Sequence, residues 1–177
     1  GAVLGNHDYD TLPILPNPIL HDPRSATQYI KYFGAARFNG RPWYGGSSPD
    51  QLNHYQTFSA GGRDFIHVSF EWHPRSSSLS WIQDILDQHP DTPTILSTHE
   101  YSAPLPLGRS SLGDTIFDAI VNENSQVFMV LSGHVPAPEF HQTVTNADGL
   151  EVFEMLSDYQ SRANGGDGWM RLLQFDE

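Results

Sequence analysis

A chain of 177 residues with 38% hydrophobic, 12% aromatic and 17% charged residues suits one globular domain with a sizeable core. Its net charge of -12, from 9 Lys and Arg against 21 Asp and Glu, opposes nucleic acid or an anionic membrane as partner, and an anionic substrate would need a local positive centre such as a bound metal. The lack of cysteine excludes disulfides and zinc–thiolate sites, and no apolar run approaches a membrane span. No secretory leader is recognisable, and Gly1 in place of Met reads as a processing boundary. Nine histidines are many for this length.

In chain order, residues 2–4 read as the end of a buried strand, and residues 11–22 as a Pro-rich loop. Ser25 caps a short helix with Tyr29, Ile30 and Phe33 on one face, closed by Gly34. Residues 41–51 form a loop of glycines, prolines and aromatics. Residues 57–59 and 64–72 are strands around a Gly61-Gly62 turn. Ser78 caps a helix with Trp81, Ile82, Ile85 and Leu86 at helical spacing. Residues 94–97 form a buried strand ending at Thr98-His99-Glu100. Asp114 opens a helix with Ile116, Phe117, Ile120 and Val121 inward. Residues 127–131 form the next buried strand, ending at Ser132-Gly133-His134. Val144 and Val152 flank Asn146-Ala147-Asp148-Gly149, a hairpin signature, and a last strand falls at residues 170–175. Helices alternating with strands in the middle, with hairpins at the end, make an α/β layered domain.

Three apolar strands each end in a ligand type: Asn6-His7, His99 and His134. Carboxyl ends of strands in one α/β sheet gather in one crevice. Imidazole nitrogens and an amide oxygen there suit a divalent metal such as Mn, Fe or Zn.

Gly5-Asn6-His7-Asp8, Thr98-His99-Glu100 and Gly133-His134, in this order, resemble the last three motifs of the calcineurin-like metallophosphoesterases. The resemblance covers nearly the whole chain. The tail, Ser157-Asp158-Tyr159-Gln160 through Asn164-Gly165-Gly166-Asp167-Gly168-Trp169, is similar to a bacterial, often exported branch of that superfamily. The implied fold is a layered sandwich of mixed β-sheets flanked by helices, lacking its N-terminal strands. The implied chemistry is hydrolysis of phosphate mono- or diesters at a two-metal site by metal-activated water. The resemblance makes Asn6, His99 and His134 ligands of the second metal. It makes His7 the histidine that stabilises the transition state or protonates the leaving oxygen, with Asp8 orienting the His7 ring.

The chain departs from that pattern in two places. The family's first two motifs, Asp-x-His and Gly-Asp-x-x-Asp, would precede Gly5 and are not in this sequence. The family's Gly-His-x-His reads Gly133-His134-Val135-Pro136, so the second histidine, a first-metal ligand, is Pro136. One metal site follows, and a second only if other groups supply its ligands. His141 and Glu139 are the nearby substitutes for Pro136; otherwise His141 faces solvent on the hairpin. Truncation should bare a strand edge beside residues 2–4 and an apolar face, which a homo-oligomer would cover. Residues 43–46 either face the substrate or pack as a loop anchored by Trp43; His73 is read as structural. Arg109 and Arg162 are the basic residues to examine for phosphate contact. The expectation is an impaired phosphoesterase acting on a small phosphate ester, and its rival a non-catalytic oligomeric remnant that binds at most one metal.

Overall fold

The computed structural model describes residues 2–10, 25–137 and 139–175. The Pro-rich segment expected at residues 11–22 lies outside them. The chain is α/β. A seven-stranded mixed sheet runs in the order β1-β2-β3-β4-β7-β9-β8. Its strands are β1 (Tyr44–Ser47), β2 (His54–Ala60), β3 (Arg63–Ser69), β4 (Thr94–Ser97), β7 (Val127–Ser132), β8 (Phe140–Thr145) and β9 (Glu151–Leu156). A separate ribbon pairs β5 (Ser102–Ala103) with β6 (Gly108–Arg109).

The central strands β3, β4, β7 and β9 are parallel, so their carboxyl ends point the same way. Hairpins flank them: β2 with β3 around Gly61-Gly62, and β8 with β9. In the second hairpin Val144 sits opposite Val152, the pair whose flanking positions mark the turn in the sequence.

Helix α3 (Ser76–Gln88) and helix α4 (Ser111–Ile116, continued by a π turn over Phe117–Val121) pack on one face of the sheet. Ile82, Ile85, Leu86, Ile116, Phe117, Ile120 and Val121 meet Ile66, Val68, Leu96, Val130 and Val152 there. These are the apolar positions that the helical spacing turns inward, and each buried side chain stabilises the fold by roughly 1.5–3 kcal/mol.

The caps differ from expectation for physical reasons. Helix α1 (Thr27–Phe33) is followed by the short helix α2 (Ala35–Phe38). Ser25 does not cap α1; Asp10 does, its Oδ1 accepting the Thr27 N–H at 3.0 Å. Ser78 lies inside α3 rather than at its cap, because the position is buried: its hydroxyl donates to Glu71 Oε1 at 2.6 Å. Ser110 caps α4 by accepting the Gly113 N–H at 3.1 Å, four residues before Asp114, the expected start.

Three further expectations are corrected. Residues 2–4 are extended but form no strand of the sheet; Trp72 N–H donates to Leu4 O at 3.2 Å, and Leu4 is fully buried beside Tyr9, Tyr29, Leu52 and Trp72. The sheet edges are β1 and β8. Residues 43–46 belong partly to strand β1, where Trp43 and Tyr44 pack against Phe38 and the Tyr44 hydroxyl meets His54 Nδ1 at 2.8 Å. Residues 170–175 form no strand, and Met170 and Leu172 are exposed.

The face of the sheet away from α3 and α4 has no second sheet over it among the described residues. Phe58 stacks on Phe65 at 5.2 Å and Phe65 approaches Phe128 at 6.2 Å, around a groove of about 600 Å³ that Phe175 also lines. Among the described residues no helix is long and apolar enough to cross a membrane.

Candidate metal centre

The parallel core brings four strand ends to one side of the sheet. β3 runs on to Trp72, β4 to His99 and Glu100, β7 to His134, and β9 to Asp158. Backbone bonds extend the ladder past the strands: Thr98 N–H donates to Leu131 O, Gly133 N–H to His99 O, and Ser157 N–H to Ser132 O. The Trp72–Leu4 bond lays the amino-terminal segment against the same edge and delivers Asn6.

Residues 6–8 form a single 3-10 turn. Asp8 closes it: its N–H donates to Gly5 O at 3.1 Å and its Oδ2 accepts the Gly5 N–H at 2.8 Å. The resemblance assigned that carboxylate to the His7 ring, but among the described residues no hydrogen bond joins the two. Asp8 instead shapes the turn that presents Asn6, and His7 is exposed at its outer side. Gly5 leaves room for the histidine beyond it. A Cβ there would stand 3.2 Å from His99 Cε1 and Nδ1, closer than most such contacts.

Three donor atoms from the expected residues meet. His99 Nε2 is 2.8 Å from Asn6 Oδ1 and 3.0 Å from His134 Nδ1. Oxygen and nitrogen lone pairs brought this close need something positive between them. In the bare protein one N–H, on His99 Nε2, can serve both neighbours. A divalent ion with bonds of about 2.1 Å sets adjacent ligand atoms about 3 Å apart, so the spacing fits that donor set. Burial holds the His99 imidazole below the usual histidine range; His134 lowers it further, while Asp8, Glu100 and Asp158 oppose. A neutral imidazole is the form that ligates metal.

Among the described residues no group of three His, Cys, Asp or Glu side chains is placed to hold a metal. The amide of Asn6 would therefore stand as the third protein ligand beside the two imidazoles. His134 takes φ of 66°, a left-handed conformation that costs a side-chain-bearing residue roughly 1–2 kcal/mol.

Two residues near the triplet were not assigned from the sequence. Glu100 Oε2 accepts the Trp72 Nε1–H at 2.8 Å and lies 3.6 Å from His134 Nε2. The Trp72 and His134 rings are 5.8 Å apart. Glu100 directly follows His99, and Trp72 ends the strand beside it; both positions were visible as strand-end residues, without a signal for their role.

The other candidates lie elsewhere or are already engaged. Pro136 is exposed, and His141 is exposed on β8, as its solvent-facing reading has it. Glu139 approaches Arg171 at 3.6 Å. Arg109 is tied to Asp114 at 2.9 Å and to the fully buried Glu154 at 2.8 Å, so it serves as an anchor of the ribbon rather than a phosphate contact. Arg162 sits 4.2 Å over the Trp169 ring. The 600 Å³ groove lies by Phe58, Phe65 and Phe128, and none of the metal-centre residues lines it.

No family model matches the chain. It is similar to the uncharacterized protein YvnB of Bacillus subtilis (strain 168), with 36% identity over 187 aligned residues. The match takes in 100% of this chain and 13% of that protein, so the chain spans about an eighth of the relative's length.

Proposed function

We propose that this chain carries the second-metal half of a calcineurin-like metallophosphoesterase site within that superfamily's layered sandwich, and that it takes part in metal-dependent hydrolysis of phosphate mono- or diesters. The observation that supports the reading is the meeting of Asn6 Oδ1, His99 Nε2 and His134 Nδ1 within 3.0 Å of one another's nearest member. These are the three residues whose motifs resemble the family's second-metal ligands.

A divalent cation held there, manganese, iron or zinc, would supply positive charge to the phosphoryl oxygens and acidify a water. The chain's own groups do the rest. Asn6, His99 and His134 bind the ion. His7, exposed one residue from Asn6, donates a proton to the leaving oxygen. Asp8 fixes the turn that carries both. The substrate is a small phosphate ester, which a net charge of -12 would repel without such a centre.

A second reading rests on Pro136. With proline in the first-metal position, the chain is a non-catalytic, oligomeric remnant that binds at most one metal. Turnover separates the two. With Mn²⁺ in excess, the first reading expects slow hydrolysis of bis-p-nitrophenyl phosphate that falls at least tenfold in His7→Ala. Metal binding with no turnover above the metal-only blank would leave the remnant.

A further inference from the structure

Glu100 stands between two groups. Its Oε2 accepts the indole N–H of Trp72 at 2.8 Å, and the same oxygen faces His134 Nε2 at 3.6 Å. The second distance is an electrostatic contact, longer than a formed hydrogen bond. It falls on the far side of the His134 ring from Nδ1, the atom that meets His99 Nε2 at 3.0 Å. Trp72 is buried, so its N–H needs an acceptor, and that bond fixes the Glu100 carboxylate in place. The indole also flanks the imidazole at 5.8 Å.

A neutral imidazole carries its proton on one nitrogen only. A carboxylate beside Nε2 favours the proton there and leaves the Nδ1 lone pair free. We propose that Glu100, held by the Trp72 indole, is a positioning residue that fixes the His134 ring with its proton on Nε2 and its Nδ1 lone pair on the meeting point with His99 and Asn6. The left-handed backbone at His134 points the same way: a strained residue keeps its conformation only where its surroundings determine it. The functional consequence rests on the metal-site reading above; the tautomer does not.

The test therefore starts with the metal-free protein. Long-range ¹H–¹⁵N correlation on the histidine-labelled chain at neutral pH reports each ring's tautomer. The wild type is expected to hold His134 in the Nε2–H form. Glu100→Ala should give a mixture of both forms. Glu100→Gln, which still offers Trp72 an acceptor and so guards against simple misfolding, should do the same. Trp72→Phe, which frees the carboxylate, should give a smaller shift towards the mixture. Zinc affinity by calorimetry should fall roughly 10–100-fold in both Glu100 variants, the usual loss when a ligand's outer partner is removed. A wild type that binds no zinc but whose His134 tautomer follows Glu100 would support the positioning role and sink the metal reading alone. His134 remaining in one tautomer in both folded Glu100 variants would overturn the proposal.

Discussion

His99 Nε2 and His134 Nδ1, 35 positions apart in the chain, lie 3.0 Å from each other at the ends of adjacent parallel strands. Two ring nitrogens at that distance share one proton or one cation. Asn6 Oδ1 at 2.8 Å on the other side makes three atoms competing for it. In the bare protein the N–H on His99 Nε2 can serve both neighbours, and the same three atoms are the donor set proposed for a divalent ion.

The Gly5 approach should be sensitive to a single methyl. Its backbone, at φ -93° and ψ 171°, suits alanine, so Gly5→Ala should fold normally. The added Cβ presses on the His99 ring from 3.2 Å, and the ring must shift by tenths of an ångström. Manganese affinity should drop roughly tenfold, as for other displaced ligand shells, with little change in thermal midpoint. Unaltered affinity would mean that His99 does not take part in binding.

Backbone strain at His134 separates stability from binding. His134→Gly and His134→Ala both delete the imidazole, but only glycine relaxes at φ of 66°. Urea unfolding should place the glycine variant about 1 kcal/mol above the alanine variant, with metal binding lost in both. Equal stabilities would show that the conformation carries no strain.

His67 sets a pH dependence of its own. Burial pushes its imidazole down to about 4, and its Nε2 meets Ser97 Oγ at 2.7 Å. The unfolded chain takes up that proton near pH 6.5 while the folded chain does not, so the unfolded state binds more protons between those values. Stability is then full above that window and falls as pH drops through it. At pH 5 the loss relative to pH 7.5 should be about 2 kcal/mol from this residue. His54 and His99 are lowered too and add in the same direction, so the comparison is with His67→Gln, whose urea-unfolding stability should fall less over the same range.

The bare sheet face bears on assembly. Phe58, Phe65, Phe128 and Phe175 present an apolar surface around a 600 Å³ groove, with Phe58 and Phe175 exposed and the Phe175 ring 6.3 Å from Phe128. Exposed apolar surface of that kind favours association. Light scattering at micromolar concentration should give a dimer or larger, and Phe58→Asp should shift it towards monomer. A wild-type monomer would remove self-association from the account.

Much of this arrangement was legible in the sequence, because buried parallel strands announce themselves. The run ending at His134 is apolar from Val127 to Leu131, the shorter run ending at His99 carries Ile95 and Leu96 between hydroxyl residues, and the helices facing them repeat at helical spacing. Periodicity therefore located the strand ends, and strand ends located the donors. What stayed hidden was decided by tertiary contact. Asp10 caps a helix 17 positions away, which no local pattern reveals. The apolar run at residues 170–175 reads as a strand, yet pairs with no edge. Asp8 bonds its own turn instead of His7. Glu100 gains its place only through Trp72, which arrives from a different strand.

The claim that Asn6, His99 and His134 form one metal site is tested most directly by isothermal titration of Mn²⁺ and Zn²⁺ into the metal-stripped chain. One ion per chain is expected, with binding lost in His99→Ala and in His134→Ala and weakened at least tenfold in Asn6→Ala. No binding by the wild type, or binding that survives His99→Ala unchanged, would contradict the account.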